Sequence, residues 1–355
     1  MTKRLLKGNE AAVLGALMGG CTHFFGYPIT PASEIAQAAS FYFTKAGRVF
    51  LQGESEVSVI NMIYGASSAG KRVMSASSGP GIALMSEGFS YLAGARLPNV
   101  VIDMQRAGPG LGNIWPEQSD YNMVVKGGGH GNYKNIVLAP ASAQEMYDFT
   151  KIAFSYADTY RMSVIILGDG YIGQVMEKVE IDGEVEHTKR KDWAVYGDKE
   201  SRENLISSIY MSPALMSQHN QLLQDVYKKV EQEIVDFEEV NTEDAQVIFI
   251  TYGIVSRICH SAVQKLRALG IKAGMLRLIT LFPFPKEKIL SFATHKTPLI
   301  VVELSNGQMM EDVILSTRYL TKIIPFLRMG GEIPTVKELV DFTSLTVGVS
   351  KKENM

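Results

Sequence analysis

Val73-Met74-Ser75-Ala76 is followed by the turn Ser77-Ser78-Gly79-Pro80-Gly81, a helical stretch over 82–96, and then Val100-Val101-Ile102-Asp103. Both apolar runs are short and continuous rather than alternating, and a helix separates them. Strands of that kind belong to a parallel sheet covered on both faces. The same alternation runs outward from residue 10 to about 175. Helical stretches fall over 10–24, 56–70 and 142–160, with strand runs at Val49-Phe50-Leu51, Ile136-Val137-Leu138 and Val164-Ile165-Ile166-Leu167. Ser142-Ala143-Gln144-Glu145 opens the last of these helices as a capping box, in which serine and glutamate each satisfy an orphan amide.

From about 177 to 244 charges crowd in, strands vanish, and residues 198–212 show no period. Leu222, Leu223, Val226, Tyr227, Val230, Ile234 and Phe237 then recur at helical spacing, predicting one amphipathic connecting helix. The βα alternation resumes at Val247-Ile248-Phe249-Ile250. A helix over 255–269 stops at Gly270, strands are expected near 271–277, 299–303 and 323–327, and a helix over 308–321. The expected architecture is α/β, with two doubly wound, mainly parallel sheet domains. They occupy residues 1–190 and 245–355, and a charged excursion over 191–244 joins them.

The 355 residues carry 35 basic against 37 acidic side chains, a net charge of -2, so no basic field recruits nucleic acid or an anionic membrane. No apolar run reaches the length of a membrane span. Lys3, Arg4 and Lys7 ahead of Ala11–Met18 imitate a secretory signal, but Asn9-Glu10 interrupts the join and no small-residue cleavage site follows. Asn9 reads instead as a helix N-cap with Glu10 in the first turn, and the expected compartment is the cytoplasm. The two cysteines, Cys21 and Cys259, give no disulfide framework and too few thiolates for an iron–sulfur cluster held by this chain alone.

Three loops imitate phosphate-binding motifs. Gly168-Asp169-Gly170-Tyr171-Ile172-Gly173 fits a dinucleotide fingerprint, but it lies late in the domain and no apolar helix follows. Gly65–Lys71 imitates a P-loop, yet Arg72 stands where Ser or Thr would hold magnesium, and the loop follows a helix instead of a strand. Gly168-Asp169-Gly170 also resembles the magnesium-diphosphate motif of thiamine enzymes, but the window Val195–Ser201 lacks its asparagine. The six histidines show no metal-ligand spacing, so no metal site is assigned.

Three other loops have unusual content. Phe25-Gly26-Tyr27-Pro28-Ile29-Thr30-Pro31 presents one threonine between two prolines, which fix the backbone and remove two amide donors. Gly53-Glu54-Ser55-Glu56 places a carboxylate at a helix start beyond a strand end, where open α/β sheets bind ligands; acids there are also routine dipole partners. Asp103–Asn113 leaves its strand with Arg106 and three glycines, suited to bidentate capture of a carboxylate.

Together, Tyr27-Pro28-Ile29-Thr30-Pro31, Glu54-Ser55-Glu56, Ser78-Gly79-Pro80-Gly81 and Arg106-x-Gly108-Pro109-Gly110-x-Gly112 resemble the 2-oxoacid:ferredoxin oxidoreductases. The similarity is to the subunit with a thiamine diphosphate pyrimidine-binding domain and a transketolase-C-like domain. Lys7–Ala11, Lys126–Gly131 and Arg277-x-Ile279-Thr280-Leu281-x-Pro283-Phe284-Pro285 extend it to nearly the whole chain outside 190–240. The details look most like the branched-chain, 3-methyl-2-oxobutanoate type. Trp115-Pro116-Glu117-Gln118 stands where the 2-oxoglutarate type more often has Pro-Thr.

The resemblance implies oxidative decarboxylation of a 2-oxoacid with coenzyme A, the electrons passing to ferredoxin. It gives Glu56, with Glu54 as fallback, the hydrogen bond to N1′ of the aminopyrimidine. Thr30 and Arg106 would bind the substrate's carboxylate and carbonyl oxygens. Tyr27, Pro28, Ile29, Ser78, Gly79 and Pro80 would line the cofactor. It also implies a diphosphate-binding subunit holding Mg2+, a gamma-type subunit, and a ferredoxin-like subunit with the 4Fe-4S clusters. The alternatives are 2-oxoglutarate or pyruvate as substrate, a carboligase of the transketolase or acetolactate-synthase kind, and a non-catalytic scaffold subunit.

Overall fold

A computed structural model describes residues 2–347. Within them the first sheet has seven strands in the spatial order Thr280–Phe282, Ile136–Leu138, Ser163–Asp169, Asn99–Gln105, Val73–Ser77, His23–Gly26 and Val49–Gln52. All neighbours are parallel except Thr280–Phe282 on Ile136–Leu138. Val73–Ser77, Asn99–Gln105 and Ser163–Asp169 are buried along their whole length, which explains their unbroken apolar runs. The second sheet runs Ile323–Leu327, Leu299–Glu303, Val247–Tyr252, Ala273–Leu278 and Phe237–Val240, with only the last pair antiparallel. Both sheets are the expected α/β type.

The expected helices are present as Gly8–Met18, Glu56–Ser68, Gly79–Gly94, Ala143–Tyr160, Gly253–Ala268 and Gln308–Thr317. Gly270 follows the fifth with φ +83°, the left-handed stop expected of it. The connecting helix is Pro213–Glu233; Leu223, Tyr227 and Val230 are buried on it, while Ile234 and Phe237 lie beyond its end.

Several expectations are corrected. The first helix ends at Met18, freeing His23–Gly26 as an inner strand, and a further helix, Ser33–Lys45, follows it. Residues 177–244 are not free of strands. Met176–Ile181 pairs antiparallel with Thr2–Lys7, and Phe237–Val240 edges the second sheet. Asn9 is not an N-cap: it lies inside the first turn, where its side-chain amide donates to the Pro31 carbonyl at 3.1 Å. Ser142 does cap Glu145 N–H, but the Glu145 carboxylate accepts from Ala141 N–H and pairs with Arg277 of the second half. A tertiary partner outbids the local box. The reciprocal arrangement occurs instead at Thr335 and Glu338.

The strand order places the site. Chain order runs from His23–Gly26 outward to Val49–Gln52, then returns to the other side with Val73–Ser77. That reversal opens a crevice beyond the strands' carboxyl ends, between Tyr27–Pro31 and Ser78–Gly81. A latch from the second half closes one side of it. Fully buried Gln118 donates to the Tyr252 carbonyl at 3.0 Å and accepts from Leu304 N–H at 2.9 Å, and Gln308 donates to the Ser119 carbonyl at 2.8 Å.

Candidate active site

Glu56 begins the helix Glu56–Ser68, with Ser55 as N-cap accepting from Ser58 N–H. It is 4% exposed, and the Ser77 hydroxyl donates to its Oε1 at 3.3 Å. Opposite stands Gly81, where a Cβ would collide with both Glu56 Oε1 and Ser77 Oγ; glycine is required for this carboxylate to lie beneath the second helix. Glu54 points the other way. It is exposed and accepts from the Ser58 hydroxyl, which holds its carboxyl below the usual range. The two acids of this turn therefore face different surroundings, Glu56 buried and Glu54 exposed.

Ser78 is fully buried beside them, and its Oγ has no hydrogen-bond partner among the described residues. It precedes the helix Gly79–Gly94 without capping it. On the other wall, Arg106 Nη1 donates to the Thr30 carbonyl at 2.8 Å and Nη2 to the Leu111 carbonyl at 3.0 Å. Two sequence-predicted loops are thus joined through the arginine. Thr30, Tyr27 and Pro28 are exposed and Ile29 is half-buried. They rim the crevice.

Between Gly79–Pro80, Arg106 and the second half lies a cavity of about 510 Å³. Gly79, Pro80 and Arg106 line it; Thr30, Tyr27, Pro28, Ile29, Glu56 and Ser78 do not. Its remaining polar wall comes from residues that sequence reasoning missed: Glu117, Ser119, Asp120, Asn306 and Gln308. Glu117 ties the wall together, accepting from Gly108 N–H and Gly330 N–H, each at 2.9 Å. Behind Asp120 is Asp103, fully buried within the strand Asn99–Gln105. Burial and the neighbouring Asp120 push its carboxyl far above the usual range. Burial, with Glu117 nearby, pushes Asp120 up to about 7. A charged residue closing the run Val100-Val101-Ile102 was the one sequence signal for this pair.

The imitation motifs are structural. Asp169 accepts from Tyr171 N–H at 2.9 Å and Ile172 N–H at 3.0 Å, so its carboxylate caps a five-residue helix. Gly65–Lys71 straddles a helix end ahead of a strand. Both cysteines are buried, and burial pushes each thiol up to about 12. Among the described residues no group of three or more His, Cys, Asp or Glu could hold a metal, and no helix is long and apolar enough to cross a membrane.

The acid buried at a helix start lies in the switch-point crevice of a parallel sheet, where open α/β folds bind ligands. Residues 14–239 match the family model described as pyruvate flavodoxin/ferredoxin oxidoreductase, thiamine diphosphate-binding, and 245–339 match core domain II of pyruvate:ferredoxin oxidoreductase. The chain belongs to the 2-oxoacid:ferredoxin oxidoreductase family and is an oxidoreductase subunit of it. Ketoisovalerate oxidoreductase subunit VorB of Methanothermobacter marburgensis is 51% identical over 96% of this chain and 97% of its own. The 2-oxoglutarate synthase subunit KorA of Methanocaldococcus jannaschii is 34% identical over 96% and 98%.

Among solved structures, 2-oxoglutarate:ferredoxin oxidoreductase from Magnetococcus marinus matches with TM-score 0.84 and 28% identity. The match covers 97% of this chain, which spans 65% of that longer one. A split-gene transketolase, at TM-score 0.56 and 15% identity, shares the fold.

Proposed function

We propose that this chain holds the aminopyrimidine half of thiamine diphosphate and the 2-oxoacid in a heteromeric oxidoreductase. The reaction converts 3-methyl-2-oxobutanoate and coenzyme A to an acyl-CoA and carbon dioxide, and passes two electrons to ferredoxin. The observation that carries this reading is the Glu56 carboxylate, buried against Ser77 under Gly81 at the switch point. The adjoining unpartnered Ser78 Oγ leaves a buried polar atom for a ligand to satisfy. Relatives near half identity over almost the full length are named for ketoisovalerate, which supports the branched-chain substrate.

Bound thiamine diphosphate supplies the nucleophilic carbon and the electron sink. Glu56 holds the ring by a hydrogen bond at N1′, and its apolar helix excludes water from that contact. Arg106, already anchored on Thr30 and Leu111, receives the substrate carboxylate. The Thr30 hydroxyl donates to the carboxylate or to the carbonyl oxygen. Tyr27, Pro28, Ile29, Gly79 and Pro80 shape the rim.

The diphosphate and its Mg2+ belong to a second subunit, because Asp169 already accepts two backbone amides. Iron–sulfur clusters belong to a ferredoxin-like subunit, because two separately buried thiols cannot ligate one. A gamma-type subunit completes the assembly, in the cytoplasm. The test is reconstitution. The purified chain is expected to be colourless and inactive, while the assembled complex forms acyl-CoA from 3-methyl-2-oxobutanoate faster than from 2-oxoglutarate or pyruvate. Full activity of the chain without partners would falsify the reading.

A further inference from the structure

The cavity beside Arg106 has an uncommon charge pattern. Among the described residues Arg106 is the sole cation in its lining, and two acids, Glu117 and Asp120, face the same space. Glu117 has its oxygens engaged by Gly108 N–H, Gly330 N–H and the Ser119 hydroxyl. Asp120 does not. It is 9% exposed, its Oδ2 has no partner, and it lies against Gly79 so closely that a Cβ there would be 3.3 Å from Oδ2. Asp103 behind it is completely buried, and neither of its oxygens has a partner among the described residues.

Two neighbouring buried carboxyls are not both ionised at neutral pH, because desolvation and mutual repulsion disfavour the second charge. The groups facing Asp120 do not change that. Asp103 comes from the strand Asn99–Gln105, Glu117 from the loop beyond it, and the Tyr252 phenol from the second half. Only Arg106 and the Gly79 amide favour the charged form.

We propose that Asp120 is the acid that admits the substrate: protonated, it donates a hydrogen bond to an oxygen of the 2-oxoacid held by Arg106, and ionised, it repels that anion. Asp103, whose carboxyl burial and the neighbouring Asp120 push higher still, stays protonated behind it. The inference rests on the functional reading above, and it adds a control of substrate affinity that resides in neither Glu56 nor Thr30. A 2-oxoacid entering as an anion meets one guanidinium and one neutral donor, where an ionised Asp120 would oppose the guanidinium's attraction. Because Asp120 is pushed up to about 7, the change falls in the physiological range.

The experiment is the pH dependence of KM and kcat for 3-methyl-2-oxobutanoate, from about pH 5.5 to about pH 9, in the reconstituted complex. In the wild type KM is expected to rise above neutrality by up to about tenfold per pH unit, with kcat changing much less. Asp120→Asn, which keeps a donor and cannot ionise, is expected to hold KM near its low-pH value throughout. A second readout needs neither turnover nor a variant: the infrared carbonyl band of a buried carboxylic acid in the full chain should fade as pH passes about 7.

A wild-type KM independent of pH, or an Asp120→Asn complex that keeps the wild-type profile, overturns the proposal and leaves the functional reading intact. So does the absence of any carboxylic acid band that titrates near neutrality. No turnover by the wild-type complex at any pH overturns the functional reading and this inference with it.

Discussion

Arg106 is tied to Thr30 through the threonine's backbone carbonyl, at 2.8 Å, and not through its side chain. The arginine is held in place while the exposed threonine hydroxyl stays available. Arg106→Ala is therefore expected to act twice, removing the carboxylate's partner and releasing the loop that presents Thr30. A charge-assisted contact of this kind contributes about 1.5–3 kcal/mol. KM for the 2-oxoacid should rise roughly tenfold to a hundredfold. Arg106→Lys should recover only part, because a point charge cannot make the two-pronged contact. An unchanged KM for Arg106→Ala would remove Arg106 from the substrate site.

Glu56→Gln keeps the shape and an acceptor for Ser77, so folding should be unaffected while the acid is lost. Acyl-CoA formation by the complex should fall by about 10²–10⁴-fold. Glu54→Gln, on the exposed side of the same turn, should leave the rate near wild type. Equal losses for the two variants would contradict the assignment.

Gly81→Ala places a methyl group against Glu56 Oε1 and Ser77 Oγ. Overpacking of this sort costs about 1–3 kcal/mol. The expected outcome is a lower Tm together with loss of thiamine diphosphate binding in the complex, measured by equilibrium dialysis. Retained binding would show that the crevice can open without disturbing Glu56.

Asp120 also sets a pH dependence of stability. Its folded-state value of about 7 lies above the 3.8 of an ordinary aspartate, so between those limits the folded chain binds more protons than the unfolded one. Stability then falls as pH rises through that window, by at most roughly 4 kcal/mol from this group. Asp120→Asn is expected to raise Tm more at about pH 8 than at about pH 5. An equal shift at both pH values would mean that the carboxyl is not neutral when folded.

Gln118→Ala strips the partners from the Tyr252 carbonyl and the Leu304 amide, both buried between the two halves. A loss of about 2–4 kcal/mol is expected. Denaturant unfolding should separate into two transitions if this latch couples the halves.

The inner strands were legible because burial on both faces writes unbroken apolar runs such as Val164–Leu167. His23–Gly26 was not, since four residues behind a helix and a Gly-Gly pair carry no period of their own. Asn9 and Glu145 had the right residue types for local caps, yet Pro31 and Arg277, remote in sequence, claimed their side chains. Of the proposed site, the loops carrying Thr30, Glu56 and Arg106 stood out by their motif content. Asp103 and Asp120 were not, because an aspartate's spelling does not record whether anything satisfies it. Gln118 looked like an ordinary loop residue and proved to be a buried bridge.

The short strand Thr280–Phe282 lies in the latter part of the chain but completes the first sheet, against Ile136–Leu138. A fragment ending near 244 would leave Ile136–Leu138 as a bare hydrogen-bonding margin, open to pairing with any extended chain it met. The remaining fragment would carry a strand with no sheet of its own to join. The two halves are thus woven together, and a gene fission between them would yield pieces able to fold only by handing this strand back across the break.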